Sequence, residues 1–200
     1  MTRHITTRFS FVLGDNGAAP IDLRFKIASE KDADVAAREL LLDRVFGPER
    51  FQKTSEKLRV NQAPASGLAL VAKTTVGALI GTIRLWPVFA GQKHCALLLG
   101  PLAVCPSAKE SGVGSALMQQ ALARAKLQGH ASVLLVGDAA YYNRFGFERR
   151  FTDRLIMPGP VDPKRFLGRE LIPGALSGAA GAVAPVVRLT RHQQLSALAA

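Results

Sequence analysis

The stretch CALLLGPLAV, residues 95–104, is a nearly uninterrupted apolar run, and a helix-like segment follows it after the polar loop CPSAKES. A strand of that composition needs cover on both faces, which places it in the middle of a sheet. Pro101 has no amide hydrogen to give a ladder, so Gly100-Pro101 should mark a bulge or the point where the strand leaves a neighbour. The helix should span residues 112–128, with Val113, Leu117, Ala121 and Ala125 on one face and Gly129 ending it. A second buried strand, ASVLLVG at residues 131–137, comes next. Strands joined through such a helix put the chain in the α/β or α+β class, a mixed sheet with helices on its faces.

The remaining patterning fits that class. Residues 21–28 alternate like a strand. A helix is expected over residues 31–45, with Ser29 and Asp32 as a capping pair and Val35, Leu41, Leu42 and Val45 on its apolar face. Gly47-Pro48 stops it, and a weaker helix follows over residues 49–59. Residues 68–73 and 78–89 read as a hairpin. DAAYYNRFGF, residues 138–147, reads as a short helical turn ending at Gly146. Residues 149–157 and 165–172 are candidate strands separated by PGPVDP. From Pro173 onward Gly and Ala dominate. The expected organisation is an extension over 1–20, one domain over 21–176 and a Gly/Ala-rich tail over 177–200.

The 200 residues, 48% of them hydrophobic, are ample for a single core. No apolar run approaches the roughly 20 residues of a membrane span. The segment MTRHITTRFSFVLG is too interrupted for a secretory leader, so a cytoplasmic protein is expected. Cys95 and Cys105 flank one strand, on the order of 30 Å apart, and should be free thiols. Neither has metal-ligand spacing to a histidine. The formal net charge of +11 favours anionic partners, which range from nucleic acid to a phosphorylated small molecule, or simply a solvated basic surface.

KESGVGSAL places Gly112 and Gly114 at the entrance of the long helix. The first amides of a helix lack intrahelical partners and carry partial positive charge, and glycine lets a ligand approach the backbone. With Lys109 nearby, this is an anion-binding helix start. The same glycines would also serve simply to shape the loop. A dinucleotide loop of the Rossmann type fits poorly, because its first glycine follows the strand almost directly and a third glycine is missing here. A Walker loop needs Gly-Lys-Ser/Thr, which is absent.

Val104, Cys105 and Pro106, followed by Lys109, Gly112 and Gly114, resemble the acetyl-CoA signature of the GNAT N-acetyltransferase superfamily, and YYNRFGF is similar to its aromatic-Tyr-x-x-x-Gly-Phe segment. RLWPV, LLLGPLAV, LLVGDAAYYNRFGF and PGPVDPKRFLGRELIPGAL resemble more narrowly the YhbS-like predicted N-acetyltransferases. The resemblance covers residues 21–176. It implies a mixed, mostly antiparallel sheet with a splayed central strand pair and helices on both faces. It also implies transfer of an acetyl group from acetyl-CoA, the cosubstrate, to a primary amine in a ternary complex, with no metal.

By the same resemblance, backbone groups of Leu102, Ala103 and Val104 would meet the pantetheine arm. The amides of Lys109, Glu110, Ser111, Gly112, Val113, Gly114 and Ser115 would hold the pyrophosphate. Tyr142 would protonate the leaving thiolate, with Tyr141 packing or lining the substrate side. Apart from the resemblance, Arg144, Arg149, Arg150 and Arg154 are basic side chains that would reach a CoA phosphate or an acidic substrate, or else form a solvated face. Asp138 is a candidate base or, alternatively, a helix cap. Glu110-Ser111 departs from the Gly-Arg common in the superfamily and sets a negative charge beside the pyrophosphate. Cys105 raises the separate idea of an acyl-cysteine route. A non-catalytic acyl-CoA-binding module and an RNA-associated acetyltransferase are the alternative functions. Expected partners are a small-molecule or peptide amine and no membrane, with a homodimer and nucleic acid left open.

Overall fold

The computed structural model describes residues 24–186, so the extension over 1–20 and the chain beyond residue 186 lie outside the described residues. The elements run β1 (Phe25–Ser29), α1 (Val35–Phe46), β2 (Ala69–Thr74), β3 (Leu79–Ala90), β4 (His94–Val104), α2 (Val113–Leu127), β5 (Ser132–Val136), α3 (Ala139–Tyr142), β6 (Leu155–Ile156), β7 (Phe166–Glu170) and β8 (Gly181–Pro185), with 3-10 turns between several of them. The sheet order is β1-β2-β3-β4-β5-β7, and β8 pairs with both β3 and β6. Every pairing is antiparallel except β4–β5 and β6–β8. This is the expected mixed, largely antiparallel sheet flanked by helices.

Alternation along the strands divides the core between the two faces. Ile83, Leu85, Leu97, Leu99, Val133 and Leu135 face α2 and meet Val113, Leu117, Met118, Ala121 and Ala125. The helix face read from the sequence is therefore the buried one. A Cβ on Gly81 would stand 2.8 Å from Val113 Cγ1 and 2.9 Å from Leu117 Cδ1, so glycine there lets α2 sit directly on β3. On the other face Trp86, Val88, Leu98 and Leu134 meet Leu58, Leu155, Phe166 and Val183, while Leu41 and Leu42 of α1 pack on Ala103. Val35, expected on the apolar face of α1, is exposed. α1 is also tied by charge: buried Glu30 takes Arg38 of α1 and Arg84 of β3.

Four expectations change. The start of the α1 region is closed by Lys31 N–H donating to Asp34 Oδ2 at 3.1 Å, not by Ser29 and Asp32. The weak helix over 49–59 is two 3-10 turns, Pro48–Gln52 and Thr54–Leu58, broken where Lys53 is extended at φ −64°, ψ 137°. The strand expected over 149–157 is shortened to β6, and its first part, Arg149–Thr152, is a 3-10 turn whose Thr152 Oγ1 donates to the Phe166 carbonyl at 2.6 Å and holds the segment against β7. Finally, packed structure continues past residue 176: β8 adds to the edge of β3 through Val88–Pro185, Phe89–Ala184 and Ala90–Val183.

Val183 is 2% exposed and Ala179 is 7% exposed. Burial of a valine is worth about 2 kcal/mol, so truncation after Leu176 should lower Tm by roughly 4–8 °C or more in a thermal melt. An unchanged melt would mean that β8 adds nothing to the fold. No helix among the described residues is long and apolar enough to cross a membrane.

Candidate active site

The break in β4 organises the site. Leu85 pairs with Leu99 and Ile83 with Leu102, so Arg84 alone faces Gly100 and Pro101, the two-against-one count of a bulge. Gly100 sits at φ +130°, a conformation that favours glycine. Buried Trp86 pins the bulge by donating Nε1–H to the Gly100 carbonyl at 2.5 Å. On its other side β4 pairs with β5 only at Leu97–Val133 and Leu98–Leu134. Beyond Leu98 the two strands part, as the proline in the sequence suggests.

The parting leaves backbone groups unpaired. Cys105 N–H donates to Ile80 O at 2.8 Å, so the amide of Cys105 points to β3. Amides alternate along a strand, so Ala103 also faces β3, and Leu102 and Val104 turn their N–H and C=O groups into the gap. Leu102 and Val104 line the resulting cavity. Ala103 does not: its side chain is 1% exposed, against α1, and its backbone is spent on β3. Ala103 therefore offers no backbone group to the arm, contrary to the expectation from the resemblance.

The glycine loop forms one wall of the same cavity, about 710 Å³ in volume. Gly112 is the N-cap of α2 in the left-handed conformation, φ +80° and ψ −5°, and Glu110 is also left-handed at φ +64°. The first intrahelical bond runs from Ala116 N–H to Gly112 O, so the amides of the preceding helical residues Val113, Gly114 and Ser115 have no i−4 partner. Lys109, Glu110, Gly112, Val113, Gly114 and Ser115 line the cavity. Ser111 turns away and closes the loop instead, its hydroxyl donating to Ala108 O at 2.6 Å. Arg144, in the 3-10 turn that follows α3, spans to α2, donating Nη2–H to Ser115 Oγ at 3.2 Å with its guanidinium 4.1 Å from the Tyr141 ring centroid. One free helix start, two left-handed residues and a guanidinium make an anion cradle, which is what a pyrophosphate requires.

α3 places both tyrosines on the cavity. Their rings meet edge to face at 4.9 Å and 82°, so the hydroxyls serve different places. Tyr141 Oη lies 2.9 Å from where a Cβ on Gly114 would be, so this tyrosine caps the helix start and not the substrate side. The Tyr142 ring lies across Gly137, where a Cβ would fall 2.1 Å from Cε2, and its edge meets Phe147. Burial, then Tyr141, pushes the Tyr142 phenol up to about 12, with Arg165 opposing and Asp138 adding to the rise. Tyr142 therefore stays protonated across the working range. Asp138 lines the cavity and caps α3, its Oδ1 accepting from Ala140 N–H at 3.1 Å.

Side chains that sequence reasoning missed close the far side. Arg50, Lys53, Ser55, Glu56 and Arg59 come from the two 3-10 turns after α1 and the residues that join and end them, and Arg165 comes from the 3-10 turn before β7. They share no spacing motif; only the basic run of residues 50–59 hinted at them. Cys105 is not among the lining residues; its thiol lies 3.2 Å from Ser107 Oγ, whose hydrogen bond holds it below the usual cysteine range. Arg149 and Arg150 pair with Asp153 and Glu148, away from the cavity. Among the described residues no group of three or more His, Cys, Asp and Glu side chains could hold a metal ion.

Comparison with known proteins agrees with this geometry. A family profile described as the acetyltransferase (GNAT) domain matches residues 65–149, the span from the β2 approach to the end of the tyrosine segment. The chain is 30% identical over 158 residues to the uncharacterized N-acetyltransferase YhbS of Escherichia coli K12, covering 78% of this chain and 93% of that protein. The crystal structure of Escherichia coli YhbS in complex with CoA superposes with a TM-score of 0.70 at 29% identity, covering 85% of this chain and 93% of that one. A GNAT family acetyltransferase from Brucella melitensis in complex with acetyl-CoA superposes with a TM-score of 0.54 at 26% identity, over 72% of this chain and 95% of that one.

Proposed function

Because the chain belongs to the GNAT superfamily of N-acetyltransferases, we propose that it binds acetyl-CoA in the splayed cleft and passes the acetyl group directly to a primary amine. The observation that carries this reading is one cavity lined by the open edge of β4, the free start of α2 and the buried phenol of Tyr142. The complexes of the Escherichia coli and Brucella melitensis relatives with CoA and acetyl-CoA support the choice of donor.

In this mechanism the amides of Val113, Gly114 and Ser115 and the Arg144 guanidinium hold the pyrophosphate. The unpaired groups of Leu102 and Val104 hold the arm and orient the thioester. The amine nitrogen attacks the acetyl carbon; a C–N bond forms, and an amide N–H of the β4 edge stabilises the oxyanion. The C–S bond then breaks, and Tyr142 gives its proton to sulfur and regains one from solvent. Before the attack the ammonium gives up one proton, through Asp138 by its oxygen not committed to the cap or through water, so that the neutral amine attacks; the nitrogen gives up a second proton by the same route as the intermediate collapses to the amide.

Arg144→Ala should weaken acetyl-CoA binding about threefold to tenfold with kcat little changed, since it removes one exposed charge from the phosphate cradle. Titration calorimetry reads the affinity; an unaltered affinity would remove Arg144 from the site. The function itself is tested by initial-velocity kinetics of thiol release with acetyl-CoA and an amine panel. Intersecting lines fit a ternary complex. Parallel lines would point to an acyl-enzyme and bring Cys105 back, and CoA binding with no turnover would make the protein a binding module.

A further inference from the structure

The far side of the cavity is basic, and its most buried charge is incompletely paired. Arg59 ends the second 3-10 turn with a side chain only 10% exposed. Its Nη1 reaches Glu56 Oε2 at 3.4 Å, a long contact. Nε is buried and has no hydrogen-bond partner among the described residues. Nη2 lies 2.7 Å from the position that a Cβ on Gly100 would take, so the guanidinium stands directly over the β4 bulge. Nε and Nη2 form the side edge of the guanidinium, two nearly parallel N–H donors. That edge matches the two oxygens of a carboxylate or a phosphate.

The neighbours add to the demand for an anion. Lys53 and Arg165 line the same side of the cavity. The Lys53 ammonium lies 4.2 Å from the Phe46 ring centroid. Burial, and then the positive charges of Arg59 and Arg165, hold it below the usual lysine range. Arg50 is already committed to Glu39 and Asp43. Glu56 is the acid of this side, set against Lys53, Arg59 and Arg165. A neutral acceptor would leave Nε unsatisfied, and a purely cationic one would meet net repulsion.

We propose that the acceptor is an amine that also carries a carboxylate or phosphate group, and that this anion sits on the Nε–Nη2 edge of Arg59 with Lys53 and Arg165 beside it. The proposal rests on the acyl-transfer reading and names the class of its second substrate. An anion held there anchors the acceptor over Gly100, where the open edge of β4 begins. The amine is then left near the Leu102 and Val104 amides and Tyr142. The donor's phosphates are served separately by α2 and Arg144, so the two anionic sites do not compete.

The experiment uses matched amines: glycine with glycinamide, β-alanine with β-alaninamide, and phosphoethanolamine with ethanolamine. Each is titrated calorimetrically into the CoA-saturated protein, and each is assayed for thiol release with acetyl-CoA. In at least one pair the anionic member should bind at least about tenfold more tightly than its neutral counterpart. Arg59→Gln should abolish that preference while the affinity for CoA stays within about twofold, because CoA is held elsewhere. Arg59→Lys keeps the charge but not the fork and should lose most of the preference.

Equal affinities within every pair, or a preference that survives Arg59→Gln, would overturn the proposal. So would a preference for succinyl-CoA over acetyl-CoA, with ethanolamine as acceptor, that Arg59→Gln removes, since the guanidinium would then read the acyl group. If Arg59→Gln does not give a cooperative melt, Arg59→Lys and Arg165→Gln decide, and an undiminished preference in both overturns the proposal. Arg59-dependent binding of anionic amines without thiol release would keep the anion site on Arg59 but overturn its role as an acceptor anchor together with the acyl-transfer reading. Thiol release that is equal for charged and neutral amines would sink this one alone.

Discussion

Tyr142→Phe is expected to lower kcat at least about tenfold while the affinity for acetyl-CoA changes little. The ring contacts with Gly137 and Phe147 survive the change, so the fold of the segment should too. Only the hydroxyl is lost, and with it, under the proposed mechanism, the proton for the departing sulfur. General-acid assistance is typically worth about 10²–10⁴-fold, and a thiolate leaves well enough unaided to put the expected loss at the low end. Since burial places the phenol at about 12, the tyrosine remains an acid throughout the assayable range. An alkaline limb in the pH–rate profile at lower pH therefore belongs to another group.

Tyr141→Phe is the control. Its hydroxyl lies over Gly114, at the phosphate end, so its removal should leave kcat within about threefold and act, if at all, on the KM for acetyl-CoA. Steady-state kinetics of both variants decide the matter. A Tyr142→Phe enzyme with kcat within about threefold of wild type would take proton donation away from this residue.

Gly114→Val is expected to weaken acetyl-CoA binding at least about tenfold. The first added carbon would stand 2.9 Å from Tyr141 Oη and 3.4 Å from Val104 Cγ2. The two methyls beyond it would extend toward the space between the α2 start and the tyrosine, where the proposed site holds the phosphate. Valine is a better helix former than the glycine it replaces, and the nearest atom is the end of the Tyr141 side chain, which can shift, so the fold should persist. Calorimetry on a variant with a wild-type melt is the check. Unchanged affinity would mean that the glycine shapes the loop and that no phosphate approaches it.

The parts of the site that were legible in the sequence are those built from contiguous residues. An apolar run with one misplaced proline announced a strand that leaves its neighbour, and β4 parts from β5 beyond Leu98. The glycines ahead of a periodic helix announced its free start, and Gly112 is the left-handed N-cap. Illegible parts depend on long-range placement. Arg59 and Arg165 are far apart in the chain and meet across one cavity only after folding. Residues 48–58 carry helix-forming composition, but extended Lys53 splits them into two 3-10 turns, and Arg59 at the end of the second stands over the bulge. β8 is built from GAVAP, whose small residues give no periodic signal; its place comes from the exposed edge of β3 that it covers. Trp86 is a core residue whose indole also fixes the Gly100 carbonyl, a contact that no local pattern reveals.

The most direct test of the central claim is mass spectrometry of a reaction in which the protein meets isotopically labelled acetyl-CoA and a metabolite extract. The account predicts a new species, dependent on the protein, that carries the label as an acetyl group on an amine nitrogen and fails to accumulate at the wild-type rate with Tyr142→Phe. A protein that binds acetyl-CoA yet leaves the label on the donor, or delivers it only to water, would contradict the account.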